Sequence, residues 1–391
     1  MKRKGWVALG LMLLLVIVGW QFFIAPSDIK RITERFFSTT LAKKDDAFSH
    51  FLSKDDPGFA RALTPQKFTF PIDHGPHNPY RAEWWYFTGN LKNTQGRQFG
   101  YELTFFRFAL NPETPESKSA WRSNQLYMAH LTLTDVEKSR FYTDERFSRA
   151  GNDLAGALTK KYQVWLYDWS AKTEGDADFP LRLHAKTDDF GIDLLLTSQK
   201  SYILQGDQGL SQKSLKPGNA SYYYSYPRLE TKGAVTIASE QFSVTGASWM
   251  DREWSTSALS EEQSGWDWFA LQLSDNSELM FYQLRRKDGQ PDSNSSGSFV
   301  RADNAKIPLK ERDVAIKILD NWKSPHSKIT YPSRWHLSIP NQNLEIEIIP
   351  LLNDQELNVS YRYWEGAVSI KGTKNGKLIS GQGYVELAGY K

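Results

Sequence analysis

The chain has 391 residues with 48 basic and 45 acidic side chains, and its net charge of +3 is accounted for by Lys2, Arg3 and Lys4. The remainder is balanced, which excludes a general electrostatic grip on nucleic acid. The absence of cysteine excludes disulfide frameworks, thiol nucleophiles, Cys-ligated zinc and a lipid-modified cysteine anchor.

Residues 6–25 are apolar apart from Gln21. A helix of that length, rising about 1.5 Å per residue, spans the hydrocarbon of a bilayer. The Lys2-Arg3-Lys4 flank stays in the cytoplasm and sends the rest of the chain across. A cleaved signal peptide is the alternative, but Phe22-Phe23-Ile24-Ala25-Pro26 lacks a small-x-small cleavage site. The sequence therefore predicts a single-pass anchor, residues 1–25, in the inner (cytoplasmic) membrane, with the soluble part periplasmic. Residues 26–65 are expected to form a helical linker. Ser27-Asp28 can cap it, Ile29, Ile32, Phe36 and Phe37 recur at helical spacing, and Pro57-Gly58 breaks the run.

Beyond Pro65 the pattern changes to short alternating or aromatic-rich runs between polar turns, as at 84–91, 99–108, 128–133, 162–167, 192–196, 269–273 and 279–284. Such spacing predicts antiparallel sheets closed into barrels. Three blocks also recur in order. Trp84-Trp85-Tyr86-Phe87, leading to Tyr101-Glu102-Leu103 and Arg107, returns as Trp266-Asp267-Trp268-Phe269, leading to Tyr282-Gln283-Leu284-Arg285. Arg182-Leu183-His184 returns as Arg334-Trp335-His336. Gly233-Ala234-Val235-Thr236-Ile237, followed by Trp249-Met250-Asp251, returns as Gly366-Ala367-Val368-Ser369-Ile370, followed by Tyr384-Val385-Glu386. Three ordered matches predict an internal duplication: a first domain at 66–256, enlarged by insertions near 110–125 and 205–222, and a second at 257–391.

No G-x-S-x-G, H-E-x-x-H, P-loop or G-x-G-x-x-G occurs, which removes the usual signatures of serine hydrolases, zincins, nucleotide hydrolases and dinucleotide enzymes. Three constellations remain. Asp73-His74-Gly75-Pro76-His77 with Glu83 has the groups to bind a metal or move protons. Its Gly-Pro turn favours local backbone hydrogen bonding instead. In Trp249-Met250-Asp251-Arg252-Glu253-Trp254, strand alternation puts Trp249, Asp251 and Glu253 on one face and Arg252 and Trp254 on the other. A carboxyl beside indole in a dry pocket could donate a proton near neutral pH. The competing role is an Asp–Arg pair orienting a strand end, which the recurrence of aromatic-x-acid at Tyr384-Val385-Glu386 favours. In Gly265-Trp266-Asp267-Trp268 the two indoles share a face, as core packing or as the wall of an apolar cavity.

At these residues a resemblance emerges. Phe70-Pro71-Ile72-Asp73-His74-Gly75-Pro76-His77, Glu83 to Leu91, Leu103-Thr104-Phe105-Phe106-Arg107, Trp249 to Trp254, Gly265 to Phe269 and the ending Gly383 to Tyr390 resemble the AttH-like / carotenoid 1,2-hydratase family of lipocalin-like proteins. The resemblance covers roughly 67–390 and implies an all-β fold. Its form would be two consecutive lipocalin-like antiparallel barrels after the N-terminal transmembrane helix and short helical linker. The chain resembles the secreted, transporter-associated branch of that family.

Two functions follow as expectations. The first is a membrane-tethered protein that binds a large apolar ligand, lipid or isoprenoid, beside an ABC transporter permease, with no cofactor. The alternative is an acid-catalysed hydratase or hydrolase. A proton donor would create a tertiary carbocation, which needs a water-poor cavity and electron-rich ring faces. The resemblance implies Asp251 as the acid, with His74 or His77 as accessory proton carriers. Trp84, Trp85, Arg107, Trp254, Trp266 and Trp268 are the candidate ligand-binding residues. Strand alternation already separates Asp251 from Trp254 unless a bulge intervenes.

Overall fold

The computed structural model describes residues 57–113, 119–257 and 259–391. The expected membrane anchor lies outside the described residues, as does most of the expected helical linker. Residues 57–65 of that linker are coil, with a turn at Pro57-Gly58. Among the described residues no helix is long and apolar enough to cross a membrane.

Among the described residues the remaining regular structure is β, apart from four three-residue 3₁₀ turns. Two antiparallel sheets form, one from strands between Ala82 and Ser255 and one from strands between Gln263 and Ala388. Each curls into a barrel-like shape, the first nearly closed and the second a half-barrel. Both are organised alike: the opening strand pairs with the closing one. Ala82–Asn93 lies against Glu240–Ser255 in the first sheet, and Gln263–Leu273 lies against Lys377–Ala388 in the second. The duplication read from the three blocks therefore has a topological counterpart.

Each sheet encloses its own core. Trp85, Phe87, Leu103, Phe105, Trp169 and Trp254 fill the first, and Phe269, Phe281, Trp335, Trp364 and Val385 the second. The outer faces of the central strands are buried as well, because the two sheets pack against each other there. Tyr86, Tyr223, Trp249, Trp268, Tyr282 and Tyr384 belong to this third cluster. Ala82–Asn93 is consequently buried along nearly its whole length, which is why its sequence lacks the polar alternation of a half-exposed strand. The two sheets come close at Gly100, where a Cβ would stand 2.5 Å from the Ala367 Cβ. Only a residue without a side chain fits between the sheets at that point.

The interior of the first barrel holds a buried ionic knot. Glu83 accepts from Arg107 and from Arg252, and all three side chains are fully buried. Burial alone would raise the Glu83 carboxyl, but Arg107 and then Arg252 hold it well below the usual carboxylate range. The Arg252 guanidinium also lies 3.8 Å over the Trp85 ring, a cation–π contact in a dry site.

Candidate active site between the two barrels

Two rows of cross-strand neighbours build the site on the first sheet. Tyr86, Asp251 and Ser225 are in register on three adjacent strands, and Trp84, Glu253 and Tyr223 form the next row on the same face. The second sheet presents matching rows, Trp268, Glu386 and Glu365, then Trp266, Ala388 and Tyr363. The two faces meet around a cavity of about 90 Å³. Its walls include Trp84, Tyr86, Trp266, Trp268, Tyr223 and Tyr363, and its polar groups are Asp251, Glu386, Glu253 and Lys213.

Asp251 accepts three hydrogen bonds. Trp249 Nε1 donates at 2.7 Å and Ser225 Oγ at 2.5 Å to one carboxylate oxygen, and the Tyr223 hydroxyl donates to the other. These bonds favour the ionised form, yet burial outweighs them and pushes the carboxyl up to about 7. Glu386 is less well served, with Trp266 Nε1 donating at 3.1 Å. Burial pushes it up to about 8, against the Trp266 bond and helped by the charges of Glu253 and Asp251.

Glu253 differs because it has a cation. Lys213 Nζ lies 3.1 Å from Glu253 Oε1 and 4.0 Å from the centre of the Tyr282 ring. Burial is the largest effect and works against the Lys213 charge, but Glu253 and Tyr282 together outweigh it and hold the ammonium above its ordinary value. Among the described residues the cavity thus contains one neutralised ion pair and two carboxyls without a cation. A carboxyl near pH 7–8 in this setting can donate a proton at neutral pH, and its neighbour can accept one.

Of the residues singled out from sequence, the fold brings Asp251, Trp84, Trp266 and Trp268 to this cavity. It sends the others to the opposite face of the first sheet. Trp85 and Trp254 are fully buried in the first barrel's core. Arg107 belongs to the Glu83 knot. His77 stacks on Trp254 with ring centroids 3.7 Å apart, held between Asp73 and Glu83 at 3.2 Å each. His74 bonds the Tyr224 hydroxyl at 2.6 Å and faces Asp178 at 3.3 Å. Neither histidine shares a cavity with Asp251. The reason is the alternation itself: with Asp251 and Glu253 facing out from the first barrel, Arg252 and Trp254 face in.

Sequence reasoning passed over Glu386, Tyr223, Lys213 and Tyr363. A signal for Glu386 was present in the aromatic-x-acid repeat, which was read as architectural. The repeat does mark a structural position, but the two copies face each other, so the repeated acid falls twice in one cavity.

Residues 61–390 match the AttH-like family, and the chain belongs to that family. A crystal structure from Nitrosomonas europaea, labelled AttH, is similar at 33% identity with a TM-score of 0.75, covering 85% of this chain and all of that one. Kievitone hydratase from Fusarium solani subsp. phaseoli is 24% identical over 267 residues, 66% of this chain and 71% of that protein. The kievitone hydratase structure from Nectria haematococca superposes with a TM-score of 0.65 at 16% identity, over 86% of this chain and 98% of that one, a likeness of fold.

Proposed function

We propose that the inter-barrel cavity hydrates an alkene by acid catalysis. The observation that carries this is the pair Asp251 and Glu386: two buried carboxyls with no cation beside them among the described residues, walled by Trp84, Trp266 and Trp268. Glu386 is the proton donor: its carboxyl accepts one hydrogen bond, whereas Asp251 accepts three and is better held as the anion. Its proton adds to one alkene carbon and the electron pair of the double bond forms the new C–H bond, leaving a cation on the more substituted carbon. Indole faces lower the energy of that cation. A water molecule then forms the C–O bond, and Asp251 in its ionised form takes the proton that water releases. The likeness to kievitone hydratase supports the same reaction class.

The aromatic lining also supports a second reading, in which the cavity carries an apolar ligand without changing it. Work beside an ABC transporter permease, and tethering through residues 6–25, are proposals that rest on the sequence alone. The test uses the full-length protein incubated with kievitone and with simple trisubstituted alkenes in ¹⁸O-labelled water. Gain of one labelled water, detected by mass spectrometry and lost in Glu386→Gln, supports hydration. Tight retention of the unchanged compound supports carriage.

A further inference from the structure

The hydratase reading leaves Glu386 ionised and Asp251 protonated after each turnover, so a proton must return to the donor. Away from the cavity rim the interface contains polar groups that the reaction itself does not use. Tyr363, a cavity wall, has its hydroxyl 2.7 Å from His130 Nδ1 and 3.5 Å from Glu102 Oε1. His130 is fully buried, and its Nε2 makes no hydrogen bond. That nitrogen stands 3.5 Å from Glu145 Oε1. Glu145 is on Arg140–Arg149, the edge strand of the first sheet, and its side chain reaches solvent with 13% exposure.

We propose that Glu145, His130 and Tyr363 form a proton route between solvent and the inter-barrel cavity, with His130 as its central positioning residue. The proposal rests on the hydratase reading for its purpose, though not for its geometry. A proton taken up by Glu145 passes to His130 Nε2. His130 releases the proton on Nδ1 to the Tyr363 oxygen, and Tyr363 gives its own hydroxyl proton to Glu102 or to water in the cavity. Glu145, His130 and Tyr363 end with the charge they began with, His130 as its other tautomer. The proton delivered to the cavity restores Glu386. The one held by Asp251 leaves to solvent by the same groups run in reverse, so one proton enters and one leaves per turnover. His130 touches no reacting atom, so its role is to connect.

Three features distinguish a route from a brace. Bracing of the two barrels here is already supplied by Ser360, which donates to Glu145 through its backbone N–H at 2.8 Å and its hydroxyl at 2.7 Å. His130 Nε2 is aimed at the partly exposed carboxylate of Glu145 at 3.5 Å, so the ring links a group that can exchange protons with solvent to the Tyr363 hydroxyl on its other nitrogen. The inner end of the route opens on acids rather than on cations. Glu102, Glu365 and Glu386 face it, Thr104 donates to Glu102 and Tyr86 to Glu365, and one oxygen each of Glu102 and Glu365 has no hydrogen-bond partner.

The experiment needs no substrate in its first arm. The full-length protein is transferred from H₂O to D₂O, and the shift of the carboxylic-acid C=O band is followed by infrared spectroscopy. Glu386→Gln identifies the component that belongs to Glu386. With the route intact, exchange is complete within the mixing time. His130→Gln keeps hydrogen bonding but cannot relay, so exchange then waits for local opening of the interface and slows by about tenfold or more. Glu145→Gln, a change at a partly exposed side chain, gives the same slowing and replaces His130→Gln if that variant does not fold. Unchanged exchange in a folded variant overturns the route.

The second arm measures kievitone hydration, where His130→Gln lowers turnover by about 10²-fold and added imidazole restores part of it. Turnover that stays normal in His130→Gln also overturns the route. Slowed exchange with no hydration by the wild-type protein upholds the route and counts against the hydratase reading for this compound.

Discussion

Asp251 and Glu386 occupy equivalent places in the two repeats, each paired across its closing strand with an opening-strand aromatic, Tyr86 for Asp251 and Trp268 for Glu386. Because the two sheets pack outer face to outer face, the duplicated acid becomes a facing pair in one aromatic cavity. A single barrel of this sequence would leave that carboxyl on an outer surface. Joining the two creates the desolvation that raises the pKa values and, on the proposed hydration, sets a base beside the acid.

Removing either proton-bearing group tests that division. Asp251→Asn and Glu386→Gln preserve size and hydrogen bonding while abolishing titration. On the proposed hydration, each is expected to lower turnover by about 10²- to 10⁴-fold and to leave the dissociation constant of the alkene that turns over nearly unchanged. Enzyme kinetics and equilibrium binding on the same preparations provide the check. Equal losses in both quantities would point to a disrupted cavity instead.

The pH dependence of stability has a definite sign. Asp251 rises from an ordinary 3.8 to about 7 and Glu386 from 4.5 to about 8 on folding. Between those limits the native state holds protons that the unfolded chain has released, so stability falls as pH rises. The contribution is complete below the unfolded values and is lost by the time pH passes the folded ones. Melting temperatures taken from about pH 5 to about pH 9 should therefore decline, and Asp251→Asn and Glu386→Gln should each flatten that slope. A rise over the same window in the wild-type protein would contradict this assignment.

Trp268 packs edge-on against Tyr86, with ring centroids 5.1 Å apart, and donates its indole N–H to the Tyr223 hydroxyl at 3.2 Å. It is buried between the barrels and is not part of either barrel's core. Trp268→Ala enlarges an existing cavity, so its cost should fall below the roughly 3–5 kcal/mol typical of a core tryptophan. Binding of an apolar ligand should weaken more visibly, by about tenfold for a loss of about 1.4 kcal/mol. Denaturant titration and ligand titration separate the two effects.

Glu83 makes the opposite case. Glu83→Gln leaves Arg107 and Arg252 charged and buried without their shared carboxylate, which should destabilise the protein by about 3–5 kcal/mol. The substitution lies on the inner face of the first barrel, so a folded fraction should retain its cavity chemistry. Chemical unfolding monitored by tryptophan fluorescence measures the first, and residual turnover per folded molecule the second.

Gly100→Val places a side chain where the Ala367 Cβ stands in the way. The backbone of the first sheet tolerates valine, since β-branched residues suit strands. Damage should therefore appear at the packing of one barrel on the other. The expected outcome is retained β circular dichroism with faster proteolysis between residues 256 and 263 and loss of ligand binding.

Most of the architecture was legible along the chain. Alternation and turn chemistry indicated strands, and the repeated blocks indicated two sheets of related design, because periodicity and order are local properties. Alternation also divided the stretch from Trp249 to Trp254 correctly: Asp251 and Glu253 line the cavity, and Arg252 and Trp254 lie inside the first barrel. Which face would become a site was a different matter. His74 and His77 stood out as titratable groups near an aromatic run, yet their partners are Tyr224, Asp178, Asp73 and Glu83 on the inner face.

Sequence by itself determined the strand pattern, the duplication and the two-faced character of each central strand, since these follow from side-chain type and spacing. Tertiary structure alone decided that the outer faces meet, and with that which acids lose water. Desolvation depends on what covers a group, and the cover for Asp251 includes residues more than a hundred positions away, Trp84, Tyr86, Tyr363 and Glu386 among them. Tyr363 and His130 are likewise joined across 233 positions. No local pattern encodes a contact of that range, because it exists only once one barrel has closed against the other.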